Sequence, residues 1–314
     1  MKNYLIIIVG PTAIGKTALS IQLAQYFNSE ILSCDSRQFF KEMNIGTAVP
    51  SPDELAQAPH HFIQHISIND KYSVGDFEQE VLQVLDNLFL KNSIQILVGG
   101  SGLYVDAVVK GFDDFPTIEP SVRTYINETF EKEGIAFLQE KLAKLDPIYE
   151  QKLALENPQT LQNPQRMKRF VEVCIGTGKP YSSFLNQNNN PRNFIPIFIG
   201  LEAPREVLYN RINQRVDLMI ENGLVEEARK LYPQKHLNAL QTVGYRELFD
   251  YFDEKAPLHF AIEEIKKNTR RFAKRQLTWF KRNEKIQWFD YQEDINNIID
   301  TIELEIKNRN DSFN

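Results

Sequence analysis

A glycine-rich octapeptide near the start of the chain limits its possible folds more than any other stretch. Residues 10–17 read Gly-Pro-Thr-Ala-Ile-Gly-Lys-Thr and fit the pattern Gly, four residues, then Gly-Lys-Ser/Thr. An apolar, β-branched run at 4–9 precedes it, and apolar residues at helical spacing over 18–27 follow it. Strand, glycine loop and helix in this order surround a phosphate with backbone N–H groups and a helix N-terminus. The alternative is an ordinary glycine-rich βα turn, but this context favours a site for a di- or triphosphate.

Within this loop, two side chains have the chemistry to meet a phosphate directly. Lys16 is expected to contact the outer phosphate oxygens, and the Thr17 hydroxyl is expected to hold Mg²⁺. The predicted diphosphate- or nucleotide-binding residues are Gly10, Pro11, Thr12, Ala13, Ile14, Gly15, Lys16 and Thr17.

Length and composition indicate a soluble globular protein of about two domains, at roughly 150 residues per domain. The chain has 314 residues, of which 42% are hydrophobic and 25% charged. Its two cysteines, Cys34 and Cys174, show no metal-binding spacing and suit a reduced compartment. The apolar run at 4–9 is too short for a signal peptide or a membrane span. We therefore expect a cytoplasmic protein without membrane contact, and a monomer by default.

The distribution of charge points to an anionic partner, although the net charge is −6. Nine Lys/Arg and one acidic residue lie between positions 266 and 285, where the pattern predicts a helix over about 262–281. A solvated amphipathic helix is the usual explanation of a charge run. Here nearly all charges have one sign, so their repulsion favours a nucleic-acid partner.

Asp35 follows a second predicted strand at 30–34, where the chain continues Ser36-Arg37-Gln38. In open α/β sheets, ligands bind beyond the carboxyl ends of the strands, so Asp35 should lie near the bound phosphate. A carboxylate there is costly unless Mg²⁺ or the reaction needs it. A helix N-cap is the alternative role.

The third predicted strand, at 94–98, ends in Gly-Gly-Ser-Gly and not in the acid of a Walker B motif. Motors that hydrolyse ATP usually need that acid, so this class is disfavoured. The Asp-x-x-Gly and Asn-Lys-x-Asp motifs of guanine-binding switches are also missing from the sequence.

The middle of the chain differs from its flanks. Apolar residues at helical spacing over 116–193, without a clear strand, predict a helical insertion, whereas a strand pattern returns at 194–200. Residues 165–169 form a basic turn at a helix start, which could be a solvated surface. Glycines at 176 and 178 predict a helix stop. The predicted domains are an α/β core of 1–115 with 194–314, and the insertion of 116–193.

Two further groups of residues leave alternatives open. Arg211 and Arg215 lie one helical turn apart and could cover the phosphates, or could pair with Glu206 or Asp217. His60, His61 and His65 could be imagined as zinc ligands, but no cysteine or further histidine stands nearby, which favours packing or hydrogen-bonding roles.

Taken together, the motifs resemble those of the tRNA dimethylallyltransferase family, also called the tRNA isopentenyltransferase or IPP transferase family. The resemblance spans nearly the whole chain, in order, and is therefore far more specific than the glycine loop alone. It rests on the motifs at 10–17, 35–38, 44–48 (Asn-Ile-Gly-Thr-Ala), 59–61 (Pro-His-His), 72–77, 98–104, 163–166 (Asn-Pro-Gln-Arg), 244–246 (Gly-Tyr-Arg) and 274–280.

This resemblance implies a fold, a reaction and a set of site residues. The fold is a P-loop NTPase-like parallel sheet flanked by helices, with a mainly α-helical insertion domain and a helical C-terminal region. The reaction transfers dimethylallyl from its diphosphate to N6 of the adenosine adjacent to the anticodon, in tRNAs reading codons that begin with U. Asp35 resembles the general base, while Lys16, Thr17 with Mg²⁺, and Arg215 resemble the groups that stabilise leaving diphosphate. The implied contacts with the tRNA anticodon stem-loop are Asp35, Ser36, Arg37, Gln38, Ser101, Arg123, Gln165, Arg166, Met167, Lys168, Arg169, Gln241, Gly244, Tyr245, Arg246, Lys274, Arg275 and Lys281.

Departures from the family pattern are small, and two other functions remain open. Position 101 is Ser where the bacterial pattern often has Thr, and the sequence lacks the Cys/His zinc finger of eukaryotic members, so a bacterial type is expected. A small-molecule or nucleoside kinase using ATP would also need the loop and an acid after the second strand, but not the basic helix. An RNA-binding protein with a regulatory nucleotide site is the third possibility.

Overall fold

In the computed structural model, which describes residues 2–111, 113, 115–185 and 191–311, the apolar run before the glycine loop is central to a six-stranded parallel sheet. The strands are β1 (Asn3–Val9), β2 (Ile31–Ser33), β3 (His60–His61), β4 (Ile94–Val98), β5 (Phe194–Glu202) and β6 (Gln287–Asp290), in the spatial order β3-β2-β4-β1-β5-β6. This arrangement confirms the predicted α/β class. Two short strands, β3 and β6, are additions to the prediction.

Helices lie between the strands and after the last one, and several of them are consecutive in the chain. They are α1 (Lys16–Phe27), α2 (Pro52–Leu55), α3 (Val74–Phe89), α4 (Gly102–Lys110), α5 (Pro120–Glu133), α6 (Ile135–Leu145), α7 (Pro147–Glu156), α8 (Pro164–Thr177), α9 (Arg205–Glu221), α10 (Leu224–Leu231), α11 (Tyr245–Phe252), α12 (Leu258–Phe280) and α13 (Ile295–Asp311). The predicted stop after Thr177 is confirmed, because Gly178 ends α8 with a φ of 67°. No helix in the described ranges is long and apolar enough to cross a membrane.

Alternation along β1 explains why helices cover both faces of the sheet. Tyr4, Ile6 and Ile8 face one core, which includes residues of α1 and α13, whereas Leu5 and Ile7 face another core with residues of α3 and α4. A strand that is buried on both faces reads as a continuous apolar run, as this one does. The glycine loop therefore leaves the carboxyl end of a rigid central strand.

The chain folds into two compact units, 1–110 with 192–314 and 111–191. The first unit contains the sheet and a further apolar cluster, in which Met43 packs with residues of α10, α11 and α12. The second unit has its own core of α5–α8, in which Leu138, Leu142 and Val171 are completely buried. The second unit, 111–191, nearly coincides with the insertion predicted at 116–193.

Candidate active site

The glycine loop adopts the backbone conformation that its sequence predicts. Gly10 has a φ of 146°, and a Cβ there would lie 2.6 Å from the carbonyl oxygen of Leu201. A side chain at this position would therefore be strained and would clash with β5. Thr17 follows Lys16 at the start of α1, so the helix N-terminus faces the space that the loop encloses.

A cavity of about 500 Å³ opens beside this loop, entirely within the first unit. Its lining combines the phosphate loop with residues from four other segments. These are 12–18 and Ser20 of the loop and α1; Ser33, Asp35 and Gln38 at and after the end of β2; Thr47, Ala48, Val49, Pro50, Glu54, His60 and Ile63; Val98 and Gly99 at the end of β4; and Arg211, Gln214, Arg215 and Leu218 of α9.

Lys16 lies in this cavity next to carbonyl groups of its own loop. Its Nζ donates hydrogen bonds to the carbonyl oxygens of Gly10, at 3.0 Å, and Pro11, at 2.7 Å. Desolvation lowers the pKa of Lys16 to about 8, and the nearby Asp35 carboxylate partly opposes this shift. An anionic ligand in this cavity can therefore replace the two carbonyl groups as the hydrogen-bond partner of the Lys16 ammonium group.

Asp35 is held by short-range contacts that leave its carboxylate at the cavity. The backbone N–H of Arg37 donates to Asp35 Oδ1 at 3.2 Å, and the N–H of Asp35 donates to Ser33 Oγ at 3.3 Å. Residue 35 does not begin a helix. The N-cap alternative is therefore wrong, and the carboxylate is available for chemistry.

Both arginines of α9 contact the glycine loop. Arg215 Nη1 donates to Thr12 Oγ1 at 3.3 Å, and Arg211 Nε donates to the Ala13 carbonyl at 2.8 Å. Burial lowers the pKa of Arg215, while Asp35 partly opposes the shift. Neither arginine forms an ion pair with Glu206 or Asp217 in the part of the chain described here. The geometry thus favours the covering role over surface pairing.

A buried glutamine joins the basic helix to the glycine loop, a link absent from the sequence-based predictions. Gln276 of α12 accepts a hydrogen bond from the Thr12 N–H at 2.9 Å and donates to the Gly100 carbonyl at 2.9 Å. Its side chain is 6% exposed. Since Gln276 and Thr12 lie 264 positions apart in the chain, no local pattern could have revealed this bridge.

Residues 35–38 lie next to Ser101, as expected for residues predicted to contact the same RNA. The Ser36 and Ser101 hydroxyl oxygens lie 3.3 Å apart, and Gln38 donates to the Ala48 carbonyl at 2.8 Å. The Arg37 guanidinium lies 4.3 Å from the centre of the Phe272 ring, which belongs to α12. The segment after β2 thereby lies against both the loop that follows β4 and the basic helix.

The basic helix is less uniformly charged at its surface than its sequence indicates. Lys266 pairs with Asp217 at 2.8 Å, Lys267 pairs with Glu264, and Arg270 donates to Asn213 at 2.6 Å. Lys281 pairs with Glu202 at 2.6 Å and lies over the Trp288 ring. Among the described residues, no carboxylate lies within 4 Å of Lys274 or Arg275. Arg270 and Arg271 form no ion pair with a described carboxylate either, but each donates a hydrogen bond to an asparagine, Asn213 or Asn268. Lys274 and Arg275 are thus the cations of α12 that have neither an ion pair nor a side-chain hydrogen bond among the described residues.

Two predicted RNA contacts are corrected by burial. Met167 and Tyr245 are both 0% exposed and belong to apolar cores. Their side chains therefore have no surface to offer an RNA, and they act as core residues beside their neighbours. By contrast, Gln241 and Arg246 are exposed, while Gly244 is buried at the start of α11.

In the second unit, the basic turn at 165–169 begins α8. Gln165 and Arg166 are exposed, and Arg166 Nη1 donates to Thr160 Oγ1 at 3.3 Å. Lys168 donates to Asn127 at 2.8 Å, and Arg123 and Arg169 share the carboxylate of Glu172 at 2.7 Å and 3.6 Å. Gln165 and Arg166 are consequently the most available members of this group.

The three histidines have hydrogen-bonding and packing roles. His61 Nε2 lies 2.7 Å from Glu30 Oε2, His60 Nδ1 lies 2.7 Å from the Ala58 carbonyl, and His65 packs edge-on against Phe39. Burial lowers the pKa of His60 and His65, so both stay neutral at neutral pH. In the described ranges, no three His, Cys, Asp or Glu side chains gather as a metal site.

Comparisons with known proteins agree with this geometry. A family model described as IPP transferase matches residues 38–284. The chain belongs to the IPP transferase family. It is 66% identical over 305 residues to a tRNA dimethylallyltransferase of Flavobacterium psychrophilum, covering 97% of this chain and 99% of the relative. A relative of the same name from Flavobacterium johnsoniae is 68% identical over the same shares of both chains.

Solved structures show the same family resemblance. A tRNA isopentenylpyrophosphate transferase from Bacillus halodurans has a TM-score of 0.70 and 36% identity, covering 98% of this chain and 96% of the other. A eukaryotic dimethylallyltransferase, described as acting on tRNA, has a TM-score of 0.78 and 28% identity, covering 93% of this chain and 75% of the other. The predicted family and enzyme class are confirmed, and the kinase alternative finds no support.

Proposed function

We propose that this enzyme transfers a dimethylallyl group from dimethylallyl diphosphate to N6 of the adenosine beside the anticodon of tRNA. The observation that carries the proposal is that one cavity collects a carboxylate, Asp35, with the phosphate loop and two cations, Lys16 and Arg215. A kinase would need the loop, but not a cavity beside a helix with unneutralised Lys274 and Arg275.

In the proposed step, N6 of the adenosine attacks C1 of the dimethylallyl group. The new N–C bond forms as the C–O bond to diphosphate breaks, and the proton of N6 passes to the Asp35 carboxylate. The charge that develops on the leaving diphosphate is stabilised by Lys16, by Arg215 and by the N–H groups of the loop. Thr12, held between Arg215 and Gln276, orients the diphosphate.

The residues present fit a magnesium ion at the diphosphate. The Thr17 hydroxyl lines the cavity, and Mg²⁺ at phosphates takes only one or two protein ligands while keeping several waters. Thr17 would hold the ion, which would add charge stabilisation for the leaving group.

The proposed tRNA surface has two parts. In the first unit, 35–38, Ser101, Arg246, Lys274 and Arg275 contact the anticodon stem-loop; in the second, Gln165 and Arg166 contact it, so that the insertion acts as an RNA-binding domain. The target adenosine leaves its stack to reach the cavity, at a cost of a few kcal/mol. We also propose that the enzyme works in the cytoplasm as a monomer.

The test is a transfer assay with unmodified tRNA, labelled dimethylallyl diphosphate and Mg²⁺, without ATP. We expect label in the RNA, and none when the adenosine beside the anticodon is replaced by guanosine. A parallel reaction with γ-labelled ATP and nucleosides tests the kinase alternative. Label in the ATP reaction alone would overturn the proposal.

A further inference from the structure

One short segment forms a wall that two cavities share. We call residues 44–48 (Asn-Ile-Gly-Thr-Ala) the wall segment. Its residues Thr47 and Ala48 line the 500 Å³ cavity and also a second cavity of about 60 Å³ in the same unit. Asp35 lines both cavities too. A shift of the wall segment would therefore change the surroundings of the Asp35 carboxylate.

The wall segment is fixed by a single carboxylate from a distant part of the chain. Glu227 Oε2 accepts hydrogen bonds from the N–H groups of Asn44, at 3.1 Å, and Ile45, at 2.8 Å. Glu227 Oε1 accepts from the Gly46 N–H at 3.0 Å and from the Tyr245 hydroxyl at 2.7 Å. Four donors thus meet one ionised group, and hydrogen bonds to a charged acceptor are about twice as strong as neutral ones.

Tyr245 both donates to Glu227 and packs against the wall segment. Burial, together with the facing Glu227 carboxylate, raises the pKa of Tyr245, so its hydroxyl remains a donor. A Cβ at Gly46 would lie 2.6 Å from the Tyr245 hydroxyl oxygen, which shows how closely the backbone rests on the ring. On the side of the segment near Asp35, Gln38 donates to the carbonyl oxygens of Thr47 and Ala48 at 3.3 Å and 2.8 Å.

We propose that Glu227 is a positioning residue for the transfer reaction, which it serves by holding the wall segment beside Asp35. Glu227 lines neither cavity, and its contacts are with the backbone of residues 44–46 and the Tyr245 hydroxyl, so it acts on the site through the wall segment. The inference rests on the proposed function, and it extends that function to a residue more than 180 positions from the segment it holds.

Glu227→Gln isolates this role because it keeps the size of the side chain. An amide has one acceptor oxygen, and its NH₂ group faces donors, so two of the four donors lose their acceptor. We expect kcat to fall by about 10- to 100-fold, which is the scale of one or two unsatisfied buried donors. The Kd for tRNA should stay within roughly twofold, because no proposed RNA contact changes.

The matched control is Glu226→Gln. Glu226 is the adjacent carboxylate in the first turn of α10; it is exposed, and its carboxylate forms no hydrogen bond with the residues that the structure describes. All variants are compared at a temperature well below their Tm, with tRNA binding measured separately. Glu226→Gln should match the wild type in every measurement.

The outcomes separate the two proposals. If the wild type transfers no prenyl group, the proposed function fails. If the wild type is active and folded Glu227→Gln keeps its kcat, even with a lower Tm, Glu227 is merely structural and the inference is overturned. Should Glu227→Gln not fold, Tyr245→Phe removes one donor of the four and should lower kcat about two- to fivefold. An unchanged kcat in that folded variant would then overturn the inference.

Discussion

At the scale of single residues, the surroundings of Asp35 support its proposed role as a general base beside a phosphate. Asp35 faces Lys16 and Arg215, whose positive charges offset its own, and it lines the same cavity as the Thr17 hydroxyl. Burial makes each cation reluctant to stay charged without a partner. An anionic substrate therefore completes a site that is already arranged for negative charge.

Replacing Asp35 by Asn should stop catalysis while leaving RNA binding intact. The amide keeps the shape of the side chain but cannot take the proton of N6, so kcat should fall by about 10² to 10⁴. Asp53→Asn, on the exposed surface of α2, is the control. The measurements are kcat and the Kd for tRNA. A large loss of RNA affinity in Asp35→Asn would show that Asp35 has a structural role instead.

The lowered pKa of Lys16 predicts a pH dependence in the alkaline range. With a pKa of about 8, the ammonium of the free enzyme is lost as pH rises above 8, and diphosphate then binds less tightly. We expect kcat/KM for dimethylallyl diphosphate to fall above pH 8, whereas kcat falls at higher pH because bound diphosphate raises the pKa of Lys16 in the complex. Lys16→Arg, which stays protonated, should lose this fall. A profile that stays level to pH 10 in the wild type would contradict the assignment.

At the scale of elements, local sequence patterns predicted local structure well. Residues 73–76 read Ser-x-x-Asp, a pattern typical of a capping box, and the box forms at the start of α3, where the Asp76 carboxylate accepts from the Ser73 N–H at 2.7 Å. The glycine loop and α12 also appear where their patterns indicate. By contrast, β3 has two residues and exists because Ile31 pairs with His60, a contact that no pattern within the segment reveals.

The roles of Gln276 and Glu227 escaped sequence reasoning for the same physical reason. Each binds backbone groups far away in the chain, 176 and 264 positions for Gln276 and 183 for Glu227 with Asn44, so its partner depends on the packing of α12 or α10 and not on neighbouring residues. The charge pattern of α12 was misleading in a related way. Asp217 and Asn213, which lie on α9, neutralise or satisfy cations that look unpartnered in the sequence of α12.

This neutralisation leads to a prediction for the salt dependence of RNA binding. Lys274→Ala should lower the slope of log Kobs against log salt by about one, because one phosphate contact is lost. Lys266→Ala is the matched control on the same helix, since Lys266 already pairs with Asp217 and Glu263. Affinity is measured over a salt series. Equal changes in slope for both variants would show that the ion pairs do not decide which cations meet RNA.

The bridge formed by Gln276 should matter for both stability and diphosphate binding. Gln276→Leu leaves the part-buried Thr12 N–H and the buried Gly100 carbonyl without this partner, at a cost of about 1–3 kcal/mol for the buried carbonyl. We expect a lower urea midpoint and a higher KM for dimethylallyl diphosphate. Gln292→Leu, at an exposed turn, is the control. An unchanged KM in a destabilised Gln276→Leu would limit this residue to a structural role.

At the scale of the whole molecule, a net charge of −6 and an RNA substrate are compatible because the charges are unevenly placed. Cations without an ion pair among the described residues include Lys274 and Arg275 on α12 and Arg166 at the start of α8, while several acidic residues elsewhere pair with other lysines and arginines. Total charge governs solubility, whereas a local patch governs binding. Each compact unit contributes one such patch.

The division into two units predicts how a ligand should protect the molecule from hydrogen exchange. Every residue that lines the 500 Å³ cavity belongs to the first unit. A ligand that binds only the native state suppresses opening of the unit that holds it, by about 2.7 kcal/mol at 100 times its Kd. Inorganic diphosphate with Mg²⁺ should therefore slow amide exchange in the glycine loop, α1 and α9, and leave α5–α8 unchanged. Lys16→Ala, with the same diphosphate, should show little protection anywhere. Equal protection of α5–α8 in the wild type would mean that diphosphate also contacts the second unit or that the two units open as one.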